Sequence, residues 1–428
     1  MLPLEHLIKI NNCLLMVQAP PKITTTELAT LAMDLIRRTG CEYGDIRLCS
    51  YRSSSLAGRD RSLNAIADNL SSGFGLRVLL NGAWGFAASH RQTPEEIARI
   101  VALAVEIAKG SRLTQQTPVR LVPVEAYRDT YITPIEIDPF TVSVSEKAGL
   151  LLGLNDKLLS YGDRGIKKAS SFLRFNCEEK TFASTEGSLI SQTIYRSYVG
   201  FNCTAIANGD AQVRSYDRPP LNAGYEHIDT ADLFSQVERV AEEAIEKVRA
   251  PKGPSGVRST LILKPSNLFL TIHESVGHPT ELDRVYGYEA NFAGTSFATT
   301  DKLGQLKYAA PWVNFKADRT QSGGRSTLGY DDDGVKAQEW YVVKDGILTD
   351  YLTDRETAYR LGRSSSNGCA YADSWSSVPM VRIPNLGLEP APDGGSHTAT
   401  LEEMVADTED GILIDGVGSF SIDQQRRN

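Results

Sequence analysis

The sequence predicts an α+β protein of two domains, an N-terminal α/β sandwich-like domain and a β-rich C-terminal domain that carries a histidine-bearing helix. With 428 residues, the chain exceeds the size of one ordinary hydrophobic core. Helical stripes and alternating strand patterns occur in both halves. The Pro/Gly-rich residues 251–256 form the best linker candidate. We therefore predict four parts: an N-terminal extension (1–23), an N-terminal α+β domain (24–215), a connecting helix and linker (216–256), and the β-rich C-terminal domain (257–428).

Local signals predict the elements of the N-terminal half. Thr24 and Glu27 form a capping box for the first helix, and Gly40 stands where the residue after a helix end belongs. A strand over 45–51 follows, and then a polar stretch up to Ser72. The remaining predicted elements are a hairpin around Asn81-Gly82, a helix starting at Thr93-Pro94, a helix near 145–161, and a strand meander over 167–214 with turns at Glu186-Gly187 and Asn208-Gly209.

The C-terminal half begins after a helix over 230–249, whose apolar residues recur at the spacing of a core-facing helix. A short strand over 259–263 comes next, and Ser266 is the predicted N-cap of the helix that bears His273. Downstream the pattern is mostly β. It includes a hairpin over 341–351 around Asp345-Gly346 and one short helix over 355–361, which Gly362 ends.

Composition narrows the classes of function. Lys and Arg number 45 against 53 Asp and Glu, a net charge of −8, so nothing in the charge favours direct nucleic-acid binding. No apolar run approaches the length that spans a bilayer. The six cysteines are scattered without a C-x-x-C pair, which is typical of reduced thiols in a cytoplasmic protein. We expect small-molecule, peptide or protein partners and neither nucleic acid nor membrane.

The segment Thr271–Pro279 carries the strongest chemical signal. It holds two of the six histidines, His273 and His278, with Glu274 between them. Imidazole nitrogens bind zinc-like metals, and a carboxylate beside the first ligand can take a proton from metal-bound water. The spacing resembles the H-E-x-x-H helix of metalloproteases, but it is one residue longer.

That extra residue changes the geometry. On an unbroken α-helix, residues five apart lie roughly 140° apart around the axis. The two rings can share one ion only if the helix widens into a π-bulge, or if His278 lies just beyond its end. Gly277 and Pro279 both favour such a break, which we predict near Gly277. On spacing alone, metal binding and two ordinary histidines remain equal alternatives.

Several segments in family order resemble the TldD-like branch of the TldD/PmbA peptidase family, whose members are also described as modulators of DNA gyrase. The histidine segment and its continuation, 271–297, carry the resemblance most strongly. Residues 73–88 resemble the hairpin of the family's N-terminal domain. Residues 330–335 (YDDDGV), 345–348 and 379–382 resemble its C-terminal domain. The resemblance therefore extends over most of the chain and favours the metal interpretation.

The resemblance implies a cytoplasmic metalloprotease. It makes His273 and His278 ligands of a divalent metal, zinc first among the candidates, and Glu274 the general base. The implied substrates are small or unfolded peptides. The implied assembly is a homo-oligomer or a heteromer with a PmbA-like subunit.

One departure from the family concerns the third metal ligand, which the resemblance implies is a cysteine near the C-terminus. We find no cysteine there, and Cys369, on a Ser/Asn/Gly-rich loop, does not match that position. The sequence therefore predicts a chain truncated at its C-terminal end, with weak metal binding and poor hydrolysis. The alternatives are a catalytically impaired or non-catalytic binding subunit and a nucleic-acid-associated regulator, and the net charge argues against the latter.

Overall fold

The structure is a computed structural model that describes residues 23–291, 293–389, 399–418 and 420–421. The predicted N-terminal extension, apart from residue 23, lies outside the described residues. So does 422–428, part of the terminal segment used for the truncation prediction. The three predicted boundaries between the four parts stay a prediction.

The N-terminal half follows the predicted order of elements, and its capped helices and tight turns are confirmed. Thr24 caps the first helix through a complete capping box. Asn81 and Gly82 both have positive φ, 52° and 71°, as the predicted two-residue hairpin turn requires. The elements are α1 (Thr25–Arg37), β1 (Tyr43–Arg59), β2 (Ser62–Leu80), β3 (Ala83–Ser89), α2 (Pro94–Arg112), β4 (Arg128–Ile132), α3 (Val144–Leu159), β5 (Ile166–Ser184), β6 (Leu189–Ala207), β7 (Asp210–Leu221) and α4 (Thr230–Lys247).

The C-terminal half contains short strands and helices joined by long irregular segments. Its hairpin around Asp345-Gly346 and its short helix before Gly362 are confirmed. The elements are β8 (Thr260–Leu263), α5 (Pro265–Ile272), α6 (Leu282–Val285), β9 (Asn314–Asp318), β10 (Glu339–Lys344), β11 (Ile347–Leu348), α7 (Arg355–Arg360), β12 (Ala370–Tyr371), β13 (Met380–Val381), β14 (Asn385–Glu389), α8 (Leu401–Ala406) and β15 (Gly411–Ile414).

Two local features differ from the predictions. The strand predicted over 45–51 is longer than predicted, because β1 and β2 continue through the polar stretch up to Ser72 and pair with each other up to Arg59 and Ser62. Backbone pairing of β1 with β5 holds this part extended although its side chains lack an apolar face. Ser266 is not the N-cap of the histidine-bearing helix. Lys264 occupies that position, and Ser266 instead donates a 2.6 Å hydrogen bond to Asp415.

A seven-stranded, mostly antiparallel sheet organises the first half, in the order β3-β2-β1-β5-β6-β4 with β7 also paired to β6. Two helix pairs cover one face of its long strands. Helices α1 and α2 pack on one end of the strands, and α3 and α4, the latter within the predicted connecting segment, pack on the other. Alternate residues of a strand face opposite sides, so the second face is left for the C-terminal half.

The second face of the sheet carries charged side chains that meet the loop 331–333 of the C-terminal half. Arg77 contacts Asp333 at 2.7 Å, and Lys180 contacts Asp332 at 2.7 Å. Every one of these groups is buried, and each is paired. We call this set the interdomain network: Arg47, Arg77, Glu178, Lys180, Asp332 and Asp333.

The C-terminal half has its own sheet of order β11-β10-β9-β14 and two small two-stranded sheets, β12-β13 and the parallel pair β15-β8. Helix α5 follows β8 directly and leads into the predicted metal site. Within the described part of the chain, none of the helices is both long and apolar enough to cross a lipid bilayer.

Candidate metal centre

The helix that bears the two histidines changes its hydrogen bonding where the sequence predicts a break. Helix α5 passes into a π-helical turn, His273–Gly277, followed by a 3₁₀ turn, His278–Thr280. The backbone N–H of His278 donates to the carbonyl of His273, five residues back. A wider turn of this kind stacks residues that an α-helix would hold roughly 140° apart. The prediction of a break near Gly277 is confirmed.

The wider turn brings the two imidazoles together. Their ring centroids lie 4.6 Å apart, with the ring planes at 77°. Gly277 lets this turn pack closely against the C-terminal half, because a Cβ there would approach Cδ1 of Ile383 to 2.7 Å. Its φ and ψ, −57° and −68°, are right-handed helical, so the glycine serves this packing and not a special backbone conformation.

One nitrogen from each ring and a carboxylate oxygen of Glu274 lie within 4.8 Å of one another. We call these three residues the histidine cluster. Nε2 of His273 is 3.8 Å from Oε1 of Glu274, which is beyond hydrogen-bond length. Zinc binds nitrogen and oxygen at about 2.0–2.2 Å in tetrahedral geometry, so two ligands of one ion stand about 3.4 Å apart. Closure of the donor atoms by up to about 1.4 Å would let a metal ion fit this donor set.

A buried carboxyl group orients His278. Oε2 of Glu281 lies 2.7 Å from Nδ1 of the ring. Nη2 of Arg284 lies 3.1 Å from the same Nδ1, and it also contacts Glu281 at 2.7 Å and Glu289 at 3.1 Å. In the tautomer that carries its hydrogen on Nδ1, the ring donates to Glu281 and Nε2 keeps its lone pair. Metal-binding histidines are commonly held in this way.

Burial and positive charge act on Glu281 in opposite directions. Burial is the larger influence and raises the pKa of Glu281 to about 8, while Arg284 and Arg382 lower it. The carboxyl group can accept the Nδ1–H bond whether or not it is protonated, since one oxygen keeps its lone pairs. The orientation of His278 therefore does not depend on the protonation of Glu281.

Cys369 is not part of the histidine cluster among the described residues. It is fully buried, and burial raises the pKa of its thiol to about 12. Among charged neighbours, Arg319 has the largest effect on this pKa and lowers it. An inert buried thiol agrees with the prediction that this cysteine is incidental.

The groups that support His278 were not assigned by sequence. Glu281 received no role from the sequence, although its position three residues after His278 places it on the same helical face. Arg382, which binds Glu289 at 2.9 Å and lies 3.9 Å from Glu281, is about a hundred residues away in sequence and gave no local signal.

Family models of the PmbA/TldA metallopeptidases match in three consecutive parts of the chain. Domain 1 matches residues 44–108, the central domain matches 137–250, and the C-terminal domain matches 256–427. The histidine cluster lies in the last of these. Together the three matched segments account for most of the chain.

Curated relatives also align with most of this chain. A metalloprotease of Methanocaldococcus jannaschii is 29% identical over 383 residues, 89% of this chain and 80% of that protein. A zinc metalloprotease TldD homolog of Saccharolobus solfataricus is 22% identical over 358 residues, 82% of this chain and 72% of that protein.

Solved structures share the fold. A Thermotoga maritima protein whose name refers to modulation of a DNA gyrase superposes with a TM-score of 0.72 at 19% identity, covering 92% of this chain and 83% of that one. TldE from Thermococcus kodakarensis gives a TM-score of 0.66 at 15% identity, covering 91% and 83%. With all three family domains matched in order, this chain belongs to the PmbA/TldD metallopeptidase family.

Proposed function

We propose that this chain is a TldD-like metalloprotease subunit that hydrolyses small or unfolded peptides at the histidine cluster. The observation that carries the proposal is the π-turn, which places His273 and His278 side by side with Glu274 next to them. An ordinary pair of core histidines has no need of this rearrangement. The metalloprotease names of the relatives support the same reaction class.

In this proposal, His273 and His278 hold a divalent metal, zinc being the first candidate. When bound, such an ion supplies a Lewis acid that increases the acidity of a water and polarises a carbonyl. Glu281 keeps Nδ1 of His278 protonated, which fixes the ring and presents Nε2 as the ligand atom. Glu274 accepts the proton of the attacking water on its carboxylate and passes it to the amine that leaves.

The variant Glu274→Gln tests this assignment. We expect it to retain metal while peptide hydrolysis falls by about 10²–10⁴-fold, the range of a lost general base. Metal content and cleavage of a fluorogenic peptide are measured on the same preparations. Glu402→Gln, on the exposed helix α8, is the matched control. Cleavage by Glu274→Gln at the parent rate would contradict the role of Glu274.

A second candidate is a subunit that keeps the metal-bearing helix but hydrolyses peptides poorly. Catalytic zinc sites commonly use three protein ligands and a water. Within the described residues, the cluster offers two histidines, and Glu274 is its one other donor. If Glu274 serves as the third ligand, it cannot also be the base, and Glu274→Gln would then lose metal.

We further propose that the chain associates, with itself or with a PmbA-like subunit. The shared fold with TldE supports this, as does the apolar surface around β8, β15 and α5, where Leu261, Leu413 and Phe269 are about half exposed or more. Light scattering of the chain alone, and co-expressed with such a partner, is the test. We expect a mass above that of one chain, and a monomer in both preparations would contradict the proposal.

A further inference from the structure

A cavity of about 360 Å³ lies between the second face of the seven-stranded sheet and the C-terminal half. Residues of β1, β5 and β6 line one wall, and Arg382 and Ile383 belong to the opposite one. Ile383 packs against Gly277 of the π-turn, and Arg382 lies 3.9 Å from Glu281, the residue that orients His278. The cavity therefore adjoins the turn that carries the histidine cluster.

The walls of this cavity are rich in arginine. Five arginines line it, against the acidic side chains Glu178 and Asp373. Three of the five are paired with carboxylates: Arg52 with Asp68, Arg196 with Glu178 and Arg382 with Glu289. For the other two, Arg319 and Arg325, no carboxylate among the described residues lies within ion-pair distance.

Arg319 is the more unusual of the two, because it is only 2% exposed. Its Nη atoms donate long bonds to two carbonyls, of Ser326 at 3.4 Å and of Arg382 at 3.2 Å, and its buried Nε has no hydrogen-bond partner. Asp331 is close enough to interact electrostatically with Arg319, but the two side chains form no direct ion pair. Buried charges are normally paired, so this guanidinium lacks the counter-ion that such a position requires.

A third donor in the same cavity has no acceptor. The hydroxyl of Tyr51 is buried without a hydrogen-bond partner in the described structure, and the Cys49 thiol is one of its polar neighbours. Against these donors the cavity wall presents two carboxylates: Glu178, which is paired with Lys180 and Arg196, and Asp373, which forms no ion pair among the described residues. Guanidinium groups match the planar geometry of a carboxylate and can bind both of its oxygens.

We propose that this cavity is a carboxylate-binding subsite for peptide substrates, formed by Arg319, Arg325 and Tyr51. The carboxylate is either the C-terminal α-carboxylate of the peptide or an acidic side chain. The proposal rests on the proposed peptidase function, because it takes the cavity beside the histidine cluster to receive part of the same peptide. The chain would then select acidic peptides despite its own net charge of −8, since the local field of the cavity is positive.

Peptide binding to the full chain carrying Glu274→Gln tests the subsite without requiring cleavage. Four fluorescently labelled tripeptides are compared: one with a free C-terminus, one with a C-terminal amide, and amides containing Glu or Gln. We expect a carboxylate to tighten binding about tenfold, an effect that weakens with added salt. A preference for the free C-terminus or for the Glu peptide identifies which carboxylate is bound. Equal binding of all four peptides would overturn the proposal.

Two variants test whether the preference for a carboxylate arises from the side chains of this cavity. Arg325 is exposed, so Arg325→Gln should fold normally and remove most of the preference for a carboxylate. Tyr51→Phe should reduce it by a smaller factor. Arg120→Gln, an exposed arginine outside the cavity, is the matched control. An unchanged preference in both cavity variants would also overturn the subsite.

The failure of this subsite and the failure of the proposed function are distinguishable. A parent chain that hydrolyses no peptide, while its Glu274→Gln form prefers carboxylates through Arg325, contradicts the peptidase proposal alone. A parent chain that cleaves neutral and acidic peptides equally, with equal binding, contradicts the subsite alone.

Discussion

The interdomain network and the histidine cluster are both polar and both close to the junction of the two halves, yet they are organised differently. In the network, carboxylates meet Lys or Arg side chains at 2.7–3.4 Å. In the cluster, two imidazoles and a carboxylate converge on one another at up to 4.8 Å. The network pairs opposite charges, whereas the cluster brings together donor groups of the types that bind metals. The comparison separates a region that holds the halves together from the region that we propose binds a metal.

Among the variants that test this comparison, the one that breaks the network at Glu178 should have the largest effect, which is on stability. The side chain of Glu178 is 3% exposed and contacts Lys180 at 2.9 Å. Burial alone would raise the pKa of Glu178, but Lys180 and Arg196 outweigh it and lower the pKa to about 2. Since the folded-state pKa lies below the ordinary value near 4.5, the pairing stabilises the fold above that pH and is lost as the pH falls towards 2.

We therefore expect Glu178→Gln to lower the free energy of unfolding by about 3 kcal/mol at pH 7, and by much less near pH 2. Urea unfolding at a series of pH values measures both. Asp156→Asn removes an exposed carboxylate paired with Arg61 and should change little. A Glu178→Gln chain as stable as the parent at pH 7 would mean that the network does not hold the halves together.

A smaller effect should come from Glu281→Gln, which tests whether the groups behind His278 serve metal binding. The amide can still accept the Nδ1–H bond but carries no charge, so above pH 8, where Glu281 itself is ionised, we expect zinc affinity to fall about tenfold. Competition with a chromophoric chelator measures that affinity. Glu106→Gln, on the exposed side of α2, is the control. If Glu281→Gln lowers stability and leaves zinc affinity unchanged, Glu281 belongs to the structural region and not to the ligand-binding one.

The sequence predicted local features, such as helix caps and turns, better than features that depend on backbone pairing between distant strands. Caps and two-residue turns, such as Thr24 and Asn81-Gly82, were readable because one or two residues determine them. The length of β1 and β2 was not, because their polar parts are held by backbone pairing with β5. Alternation of apolar residues, the main strand signal, is absent there.

The same distinction applies to the site. The spacing of His273 and His278 with Gly277 between them was sufficient to predict the break in the helix. The shell formed by Glu281, Glu289 and Arg382 was not predictable, since its members come from separate segments that only the fold brings together. The role proposed for Arg319 could not be predicted from the sequence either. It depends on the burial of the side chain and on the absence of an ion-paired carboxylate among the described residues around it.

The central claim is that His273 and His278 hold one metal ion between them, and zinc titration tests it most directly. Isothermal titration of the full chain is compared with His273→Gln, His278→Gln and His90→Gln, the last an exposed histidine away from the cluster. We predict one zinc site per chain in the parent and in His90→Gln, and loss of that site in each of the other two variants. Zinc binding that persists unchanged in both His273→Gln and His278→Gln would contradict the account.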